Sequence, residues 1–247
     1  MPALSYQTMF DIPAQTEKEA YVEGLFSSIA PRYDLINTVL SLARHKAWRR
    51  FAVLQTGVGP GGRALDGCCG TGDFAFELAR AVGPGGRVTG VDFSVPMLEI
   101  ARRKADRRGF GQVEFVQANA CALPFADDSF DCATIGFGLR NVSSIEAALG
   151  EMARVTRPGG KVVSLEIVGV RSSFAAIPWR LYFDVLAPRA ARVLQGRREA
   201  YEYLARSVKG FASTEELAAE FSKCGLRDVI CHGLALGAVC VHVGTKL

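Results

Sequence analysis

The chain has 247 residues, 49% of them hydrophobic and 22% charged, with a formal net charge of +4. That is enough apolar chain for a sizeable core, and no stretch is both poorly hydrophobic and highly charged, so little disorder is expected beyond the N-terminus. Seven cysteines, an odd number without metal-ligand spacing, exclude a disulfide framework and speak against a zinc site; reduced thiols in a cytosolic setting follow.

Residues 1–11 lack the basic start and apolar run of a signal peptide. Residues 17–54 are helical in pattern, broken at Pro31, with Phe26, Ile29, Tyr33, Ile36 and Leu40 forming one apolar stripe. Residues 57–62 are a glycine-rich connector. Strands are then expected at 63–66, 87–92, 113–118, 131–136 and 161–168, with helices at 73–81, 95–108 and 143–156 and a turn at 157–160. This alternation predicts a parallel sheet covered on both faces. The rhythm changes over 169–211: 174–194 reads as a long aromatic-rich helix and 199–209 as a further one. Ser213 and Glu216 form a capping box for a helix through Lys223. Strands at 226–232 and 238–244, joined through Gly233 and Gly237, read as an antiparallel hairpin. The longest apolar run, 234–243, is interrupted and too short to span a bilayer.

The chemistry concentrates in ALDGCCGTGDFAFELAR, residues 64–80. A strand ends at Asp66, glycines follow at Gly67, Gly70 and Gly72, and a helix begins at Asp73. Ligands of open α/β sheets bind beyond the carboxyl ends of strands, where glycines admit them to the backbone. A dinucleotide fingerprint needs a third glycine, but Gly70-Thr71-Gly72 is followed by Asp73, Phe74 and Ala75. Asp73 would also place negative charge where a pyrophosphate lies. A cationic ligand suits this turn better, and S-adenosylmethionine carries a sulfonium and an ammonium but no phosphate. Asp92, 20 residues after Gly72, is placed to accept ribose hydroxyls in either kind of site.

In this order the motifs resemble class I S-adenosylmethionine-dependent methyltransferases, which place adenine contacts at the positions of Asn119 and Ala120 and a turn like Arg157-Pro-Gly-Gly160 before strand five. A narrower resemblance runs from about Glu19 to the end. The run Phe26-Ser-Ser-Ile-Ala-Pro-Arg-Tyr-Asp34 with Asn37, residues 130–141 ending in Gly-Leu-Arg-Asn, Tyr201-Glu-Tyr-Leu204 with Ser207, and residues 238–246 are similar to the menaquinone/ubiquinone biosynthesis C-methyltransferases. The family commonly has small residues at the positions of Cys68 and Cys69 and a serine at that of Gly136; the latter change removes a hydrogen bond to the cofactor. The two cysteines read as packing rather than chemistry.

The resemblance implies an α/β, doubly wound, mostly parallel seven-stranded sheet with one C-terminal antiparallel strand. It implies a single domain over 1–247: an N-terminal helical lid (1–56), a cofactor-binding core (57–168), a helical substrate-cap insert (169–212) and a final helix and hairpin (213–247). The implied cofactor is S-adenosyl-L-methionine, expected to be held by Asp66, Gly70, Thr71, Gly72, Asp73, Asp92, Asn119, Ala120 and Gly136, with no metal. The implied substrate is a prenylated hydroquinone, methylated on carbon beside a hydroxyl. A naphthoquinol is favoured and a benzoquinol is the alternative. Arg140 suits phenolate stabilisation, Asn141 suits holding the substrate oxygen, and Tyr33 suits contact with the ring or the methionine end; a loop clamp and core packing are the competing readings.

A homodimer is a family-level expectation, as is a cytoplasmic protein meeting the inner face of the membrane. The basic clusters at 44–50 and Arg197/Arg198 suit anionic lipid, whereas that at 102–108 reads as a solvated helix face. His45 reads as a surface histidine. The stripe Trp179, Tyr182, Phe183 and Leu186 suits either core or a groove for the prenyl tail. A nicotinamide oxidoreductase, a nucleic-acid methyltransferase and a non-catalytic scaffold fit less well. No Pro-Cys pair or Asn/Asp-Pro-Pro-aromatic segment occurs, and no nucleic-acid partner is expected.

Overall fold

The computed structural model describes residues 15–168, 203, 206–208 and 210–247. The helix expected over 174–194 with its aromatic stripe, most of the one over 199–209, Arg197/Arg198 and Tyr201 lie outside the described residues.

Seven strands form one sheet: β1 (Arg63–Gly67), β2 (Arg87–Asp92), β3 (Val113–Gln117), β4 (Phe130–Gly136), β5 (Thr156–Ile167), β6 (Leu226–Leu234) and β7 (Val239–Lys246), in the order β3-β2-β1-β4-β5-β7-β6. The pairings among β1 to β5 are parallel, while β7 runs antiparallel to both β5 and β6. The doubly wound architecture read from the sequence is therefore present. Because β1 lies between β2 and β4, the strand order reverses there and opens a crevice at their carboxyl ends.

Alternation along the strands divides the core between two faces. Ala64, Val88 and Cys132 join Phe74, Phe76, Leu78 and Leu98 in one cluster; Leu65, Val91 and Ile135 join Leu149, Met152, Leu217 and Phe221 in the other. The covering helices include α4 (Asp73–Val82), α5 (Val95–Arg108), α6 (Ile145–Val155) and α7 (Thr214–Lys223). The expected Ser213/Glu216 capping box opens α7. Each fully buried leucine or phenylalanine of these faces contributes about 1.5–3 kcal/mol from area removed from water.

Ahead of the sheet come α1 (Gln15–Ile29), a short 3-10 turn holding Pro31, α2 (Tyr33–Leu40) and α3 (His45–Thr56). The break at Pro31 is as expected. A second break follows α2, where Leu42 and Ala43 take φ of 50° and 60°. Neither glycine nor proline marks that turn, so the sequence held no signal for it. No residue of α2 is buried, so the stripe continuing through Tyr33, Ile36 and Leu40 is a half-covered face rather than core. Residues 157–160 are no separate turn: they bulge within β5, where Phe130 pairs with Thr156 and Cys132 already pairs with Lys161.

Candidate active site

At the crevice the chain leaves β1 through a tight loop. Cys68, Gly70 and Gly72 have φ of 52°, 54° and 85°, so the loop reverses direction before α4 begins. Gly70 N–H donates to Asp92 Oδ2 and Ser94 N–H to Asp92 Oδ1, both at 2.9 Å, which ties the loop to the end of β2. Above it lies a cleft of about 440 Å³, partly open to solvent. Val22, Phe26 and Tyr33 come from the N-terminal helices, Cys68 and Gly70 from the loop, and Asp92, Phe93 and Met97 from β2 and α5. Gly136, Phe137, Gly138 and Asn141 come from the segment after β4.

The cleft thus gathers Tyr33, Gly70, Asp92, Gly136 and Asn141. Burial raises the pKa of Asp92, against the pull of the Ser94, Gly70 and Phe93 N–H groups. An ionised carboxylate has about four lone-pair sites, so acceptor capacity is left for a ligand hydroxyl. Tyr33 leans on the loop: a Cβ on Gly70 would sit 3.7 Å from its ring. Burial pushes the Tyr33 hydroxyl up, keeping it a phenol and therefore a donor. Asn141 is fixed at both ends, with its Nδ2 donating to the Phe137 carbonyl at 3.1 Å and its Oδ1 accepting from the Tyr203 hydroxyl at 3.0 Å.

Gly136 sits where the family commonly has serine. A Cβ there would meet the Phe74 ring at 2.6 Å, so the phenylalanine fills the volume that a serine would need.

Asp66 is buried beneath the loop. Its Oδ1 accepts from Thr134 Oγ1 at 3.1 Å, while Oδ2 has no partner. Burial pushes its pKa up to about 7, against Thr134 and Arg49. Arg140 is buried behind the wall, its guanidinium 3.1 Å from Glu166 Oε2 and 6.0 Å from the Phe137 ring centroid. Glu166 also accepts from Leu139 N–H at 2.7 Å. Burial pushes Glu166 up to about 7 against the Arg140 charge.

Thr71 and Asp73 face away from the cleft. The structure corrects the reading that Asp73 lays uncompensated negative charge at the ligand. Lys104 Nζ lies 2.6 Å from Asp73 Oδ1, 2.7 Å from Asp34 Oδ2 and 3.1 Å from Thr71 Oγ1, and Thr71 Oγ1 donates to Asp34. Burial raises Asp73, but Lys104, Arg49 and Arg108 outweigh it and hold its pKa below the usual carboxylate range. The missing third glycine still separates this loop from a dinucleotide fingerprint; the charge argument does not.

Gly72 is likewise a packing position, since a Cβ would meet Phe115 and Phe76 at 3.0 Å. Ala120 is buried in the core, and the Asn119 amide donates to Glu19 of α1 at 3.0 Å; neither lies on the cleft wall. The two loop cysteines are pushed well above their ordinary pKa by burial, so neither offers a thiolate near neutral pH. His45 is not a surface residue: it is buried beside Ser41, and desolvation with the neighbouring Arg49 lowers its pKa to about 4. Among the described residues no cluster of three or more His, Cys, Asp and Glu could hold a metal.

Sequence reasoning missed Lys104, Glu166, Phe137, Tyr203 and Arg49. Lys104 had a signal, because it falls on the α5 face set by Met97, Leu98, Ala101 and Ala105, all buried. Glu166 had one too, as a carboxylate ending an apolar strand. Phe137, at φ 58°, had none.

The donor set fits S-adenosylmethionine. The orphaned Asp66 Oδ2 awaits a cation or donor, Asp92 can take hydroxyls, and the glycine loop admits a ligand to the backbone. The comparisons with known proteins agree. Residues 14–246 match the ubiE/COQ5 methyltransferase family. Over 237 residues the chain is 40% identical to proteins named demethylmenaquinone methyltransferase from Bacillus cytotoxicus and Bacillus mycoides, covering 94% of this chain and 98% of each relative. A SAM-dependent methyltransferase of Aquifex aeolicus shares the fold, with TM-score 0.64 at 18% identity over 87% of this chain and 98% of that one. One from Thermotoga maritima gives TM-score 0.62 at 26% identity over 92% of this chain and 100% of that one.

Proposed function

This chain belongs to the ubiE/COQ5 methyltransferase family, and from that premise we propose that it methylates a ring carbon of a prenylated demethylnaphthoquinol, giving the menaquinol. The near full-length similarity to demethylmenaquinone methyltransferases carries this reading.

S-adenosylmethionine, when bound, supplies a methyl group already activated by positive sulfur. The chain's part is to position it and to raise the electron density of the acceptor carbon. Asp92 and the Gly70 loop are assigned to the ribose end and Asp66 to the methionine end. Thr71, Gly72 and Asp73 are assigned to shaping the loop, Gly136 to the cofactor wall, and Asn119 and Ala120, outside the cleft lining, to the adenine end. The hydroquinone hydroxyl gives up its proton, its electrons move to the neighbouring carbon, and that carbon takes the methyl group; loss of the ring proton restores aromaticity. Asn141 is assigned to the hydroxyl oxygen, because it lines the cleft and its amide is held by Phe137 and Tyr203. Arg140 lies behind Phe137 with part of its charge met by Glu166, so its assigned role is electrostatic stabilisation of the phenolate at a distance. Tyr33 is assigned as a neutral donor at the methionine end.

The test is transfer of labelled methyl to chemically reduced demethylnaphthoquinol and demethylbenzoquinol. Preferential naphthoquinol methylation is expected. Faster turnover of the benzoquinol transfers the assignment to that ring, and transfer to neither, with S-adenosylmethionine bound, ends both.

A prenylated substrate calls for contact with a lipid surface. Among the described residues no helix is long and apolar enough to cross a membrane. A surface contact is supported by Leu42, 74% exposed at the turn after α2, and by the exposed Arg44, Lys46 and Arg50 that follow.

A further inference from the structure

Phe137 follows β4 and lines the cleft. Its φ is 58°, a left-handed backbone that a bulky residue takes only where its surroundings impose it. Both of its backbone groups are held there. Its N–H donates to the Leu165 carbonyl at 2.7 Å, and its carbonyl accepts from the Asn141 amide at 3.1 Å. The chain thus maintains a costly conformation that keeps this ring in the cleft wall, and strain of this kind gathers at ligand-binding positions.

Two cations stand against the ring. The Arg49 guanidinium lies 5.8 Å from its centroid and the Arg140 guanidinium 6.0 Å, both in the cation–π range. Both arginines are buried, and neither lines the cleft. Their counter-charges are incomplete. Arg49, Lys104 and Arg108 face two carboxylates, Asp73 and Asp34. Glu166, the partner of Arg140, has its pKa pushed up to about 7 by burial, so near neutrality it is ionised in part. The field behind the ring is therefore positive. Cations over a phenyl face leave its hydrogen-bearing rim, the positive part of the ring, for whatever lies beside it. The negative charges of the site, Asp66 and Asp92, sit at the ends of β1 and β2 and are assigned above to the cofactor.

We propose that Phe137, polarised by Arg49 and Arg140, selects the reduced ring of the methyl acceptor over the oxidised one. The inference rests on the quinol reading above. A hydroquinone, and still more its phenolate, is electron-rich and gains from a positive wall; a quinone ring, drained by its two carbonyls, gains less. The reduced ring alone carries a nucleophilic carbon, so this preference keeps the unreactive form from occupying the site.

The experiment is anaerobic calorimetry on the full chain saturated with S-adenosylmethionine, using 2,3-dimethyl-1,4-naphthoquinol and the corresponding quinone. Both ring carbons at issue are blocked, so neither methyl transfer nor thiol addition intervenes. The wild-type protein should bind the quinol at least about tenfold more tightly, and Phe137→Leu should bring the two rings to within about threefold. A role in packing alone would weaken both rings in parallel and leave their ratio unmoved. An unmoved ratio in Phe137→Leu overturns the inference, as does a wild-type protein indifferent to the oxidation state of the ring. Should Phe137→Leu not fold, Arg49→Gln, which removes a cation and keeps the ring, decides: a smaller ratio supports the proposal and an unchanged one overturns it. A wild-type protein that binds S-adenosylmethionine but neither ring overturns the proposed substrate itself, which separates the two failures.

Discussion

Gly136 and Phe74 occupy one volume between them, so the residue at 136 cannot be judged alone. Gly136→Ser would not restore a cofactor hydrogen bond, because its Cβ meets the Phe74 ring at 2.6 Å. The expected result is a loss of about 1–3 kcal/mol of stability from overpacking and no gain in S-adenosylmethionine affinity, measured by denaturant unfolding and calorimetry. Tighter binding with unchanged stability would contradict this. Asp66 makes a second prediction. Burial raises its pKa to about 7, so below that pH a cationic ligand must displace a proton. Affinity should fall by up to about tenfold per pH unit below 7, and fall again above about 8 as the ligand's own α-amino group loses its proton. For folding the sign is opposite. The native state holds this proton more tightly than the unfolded chain, so its contribution makes the ligand-free protein more stable as pH drops from about 7 toward 4. Asp66→Asn should flatten both dependences; a binding profile unchanged by that substitution would remove Asp66 from the methionine end of the site.

α2 is fastened to the core by charge rather than by a deep apolar face. α2 buries nothing completely, yet its Asp34 meets Lys104 and Thr71, while Lys104 also holds Asp73 at the start of α4. Tyr33, one residue from Asp34, is thereby held over the Gly70 loop. Lys104→Met removes the shared cation and leaves Asp73 half-buried beside weaker partners. A loss of about 1–3 kcal/mol is expected, the scale of charge-assisted hydrogen bonds partly screened by solvent, with faster proteolytic cleavage around residues 30–44. Asp34→Asn keeps Asp73 paired with Lys104 and loosens only α2, so it should cost less stability while raising the KM for S-adenosylmethionine. An Asp34→Asn protein with wild-type KM and wild-type cleavage would show that the lid does not depend on this anchor. The element pattern itself was largely legible, because strand–helix alternation and capping residues are local. The turn at Leu42 and Ala43 was not, since those residues have no intrinsic preference for positive φ and only packing on either side holds them there.

At the scale of the molecule, strand order decides where the chemistry sits. The reversal around β1 opens one cleft at one sheet edge, and the N-terminal helices close over it. The exposed leucine and cations after α2 then lie on the same lid. If they meet lipid, the protein should sediment with vesicles containing anionic lipid and less with neutral ones. Leu42→Asp with Lys46→Glu should abolish that association while leaving calorimetric S-adenosylmethionine binding unchanged. Equal sedimentation of the wild-type and altered proteins would exclude this surface.

The sequence alone determined the alternating architecture, the glycine loop with Asp66 and Asp92 at strand ends, and the family resemblance, because each is written in residues close together along the chain. Tertiary structure decided what each charge faces. Asp73 and Lys104, read as ligand-facing and solvated, neutralise each other out of the cleft, while Arg49, read as one of a basic run, is only 7% exposed and packs between Asp73 and the Phe137 ring. The reason is physical: the partner of a charge is set by elements that meet only in three dimensions, and burial, which fixes how much that partner matters, is a property of the packed molecule rather than of the chain.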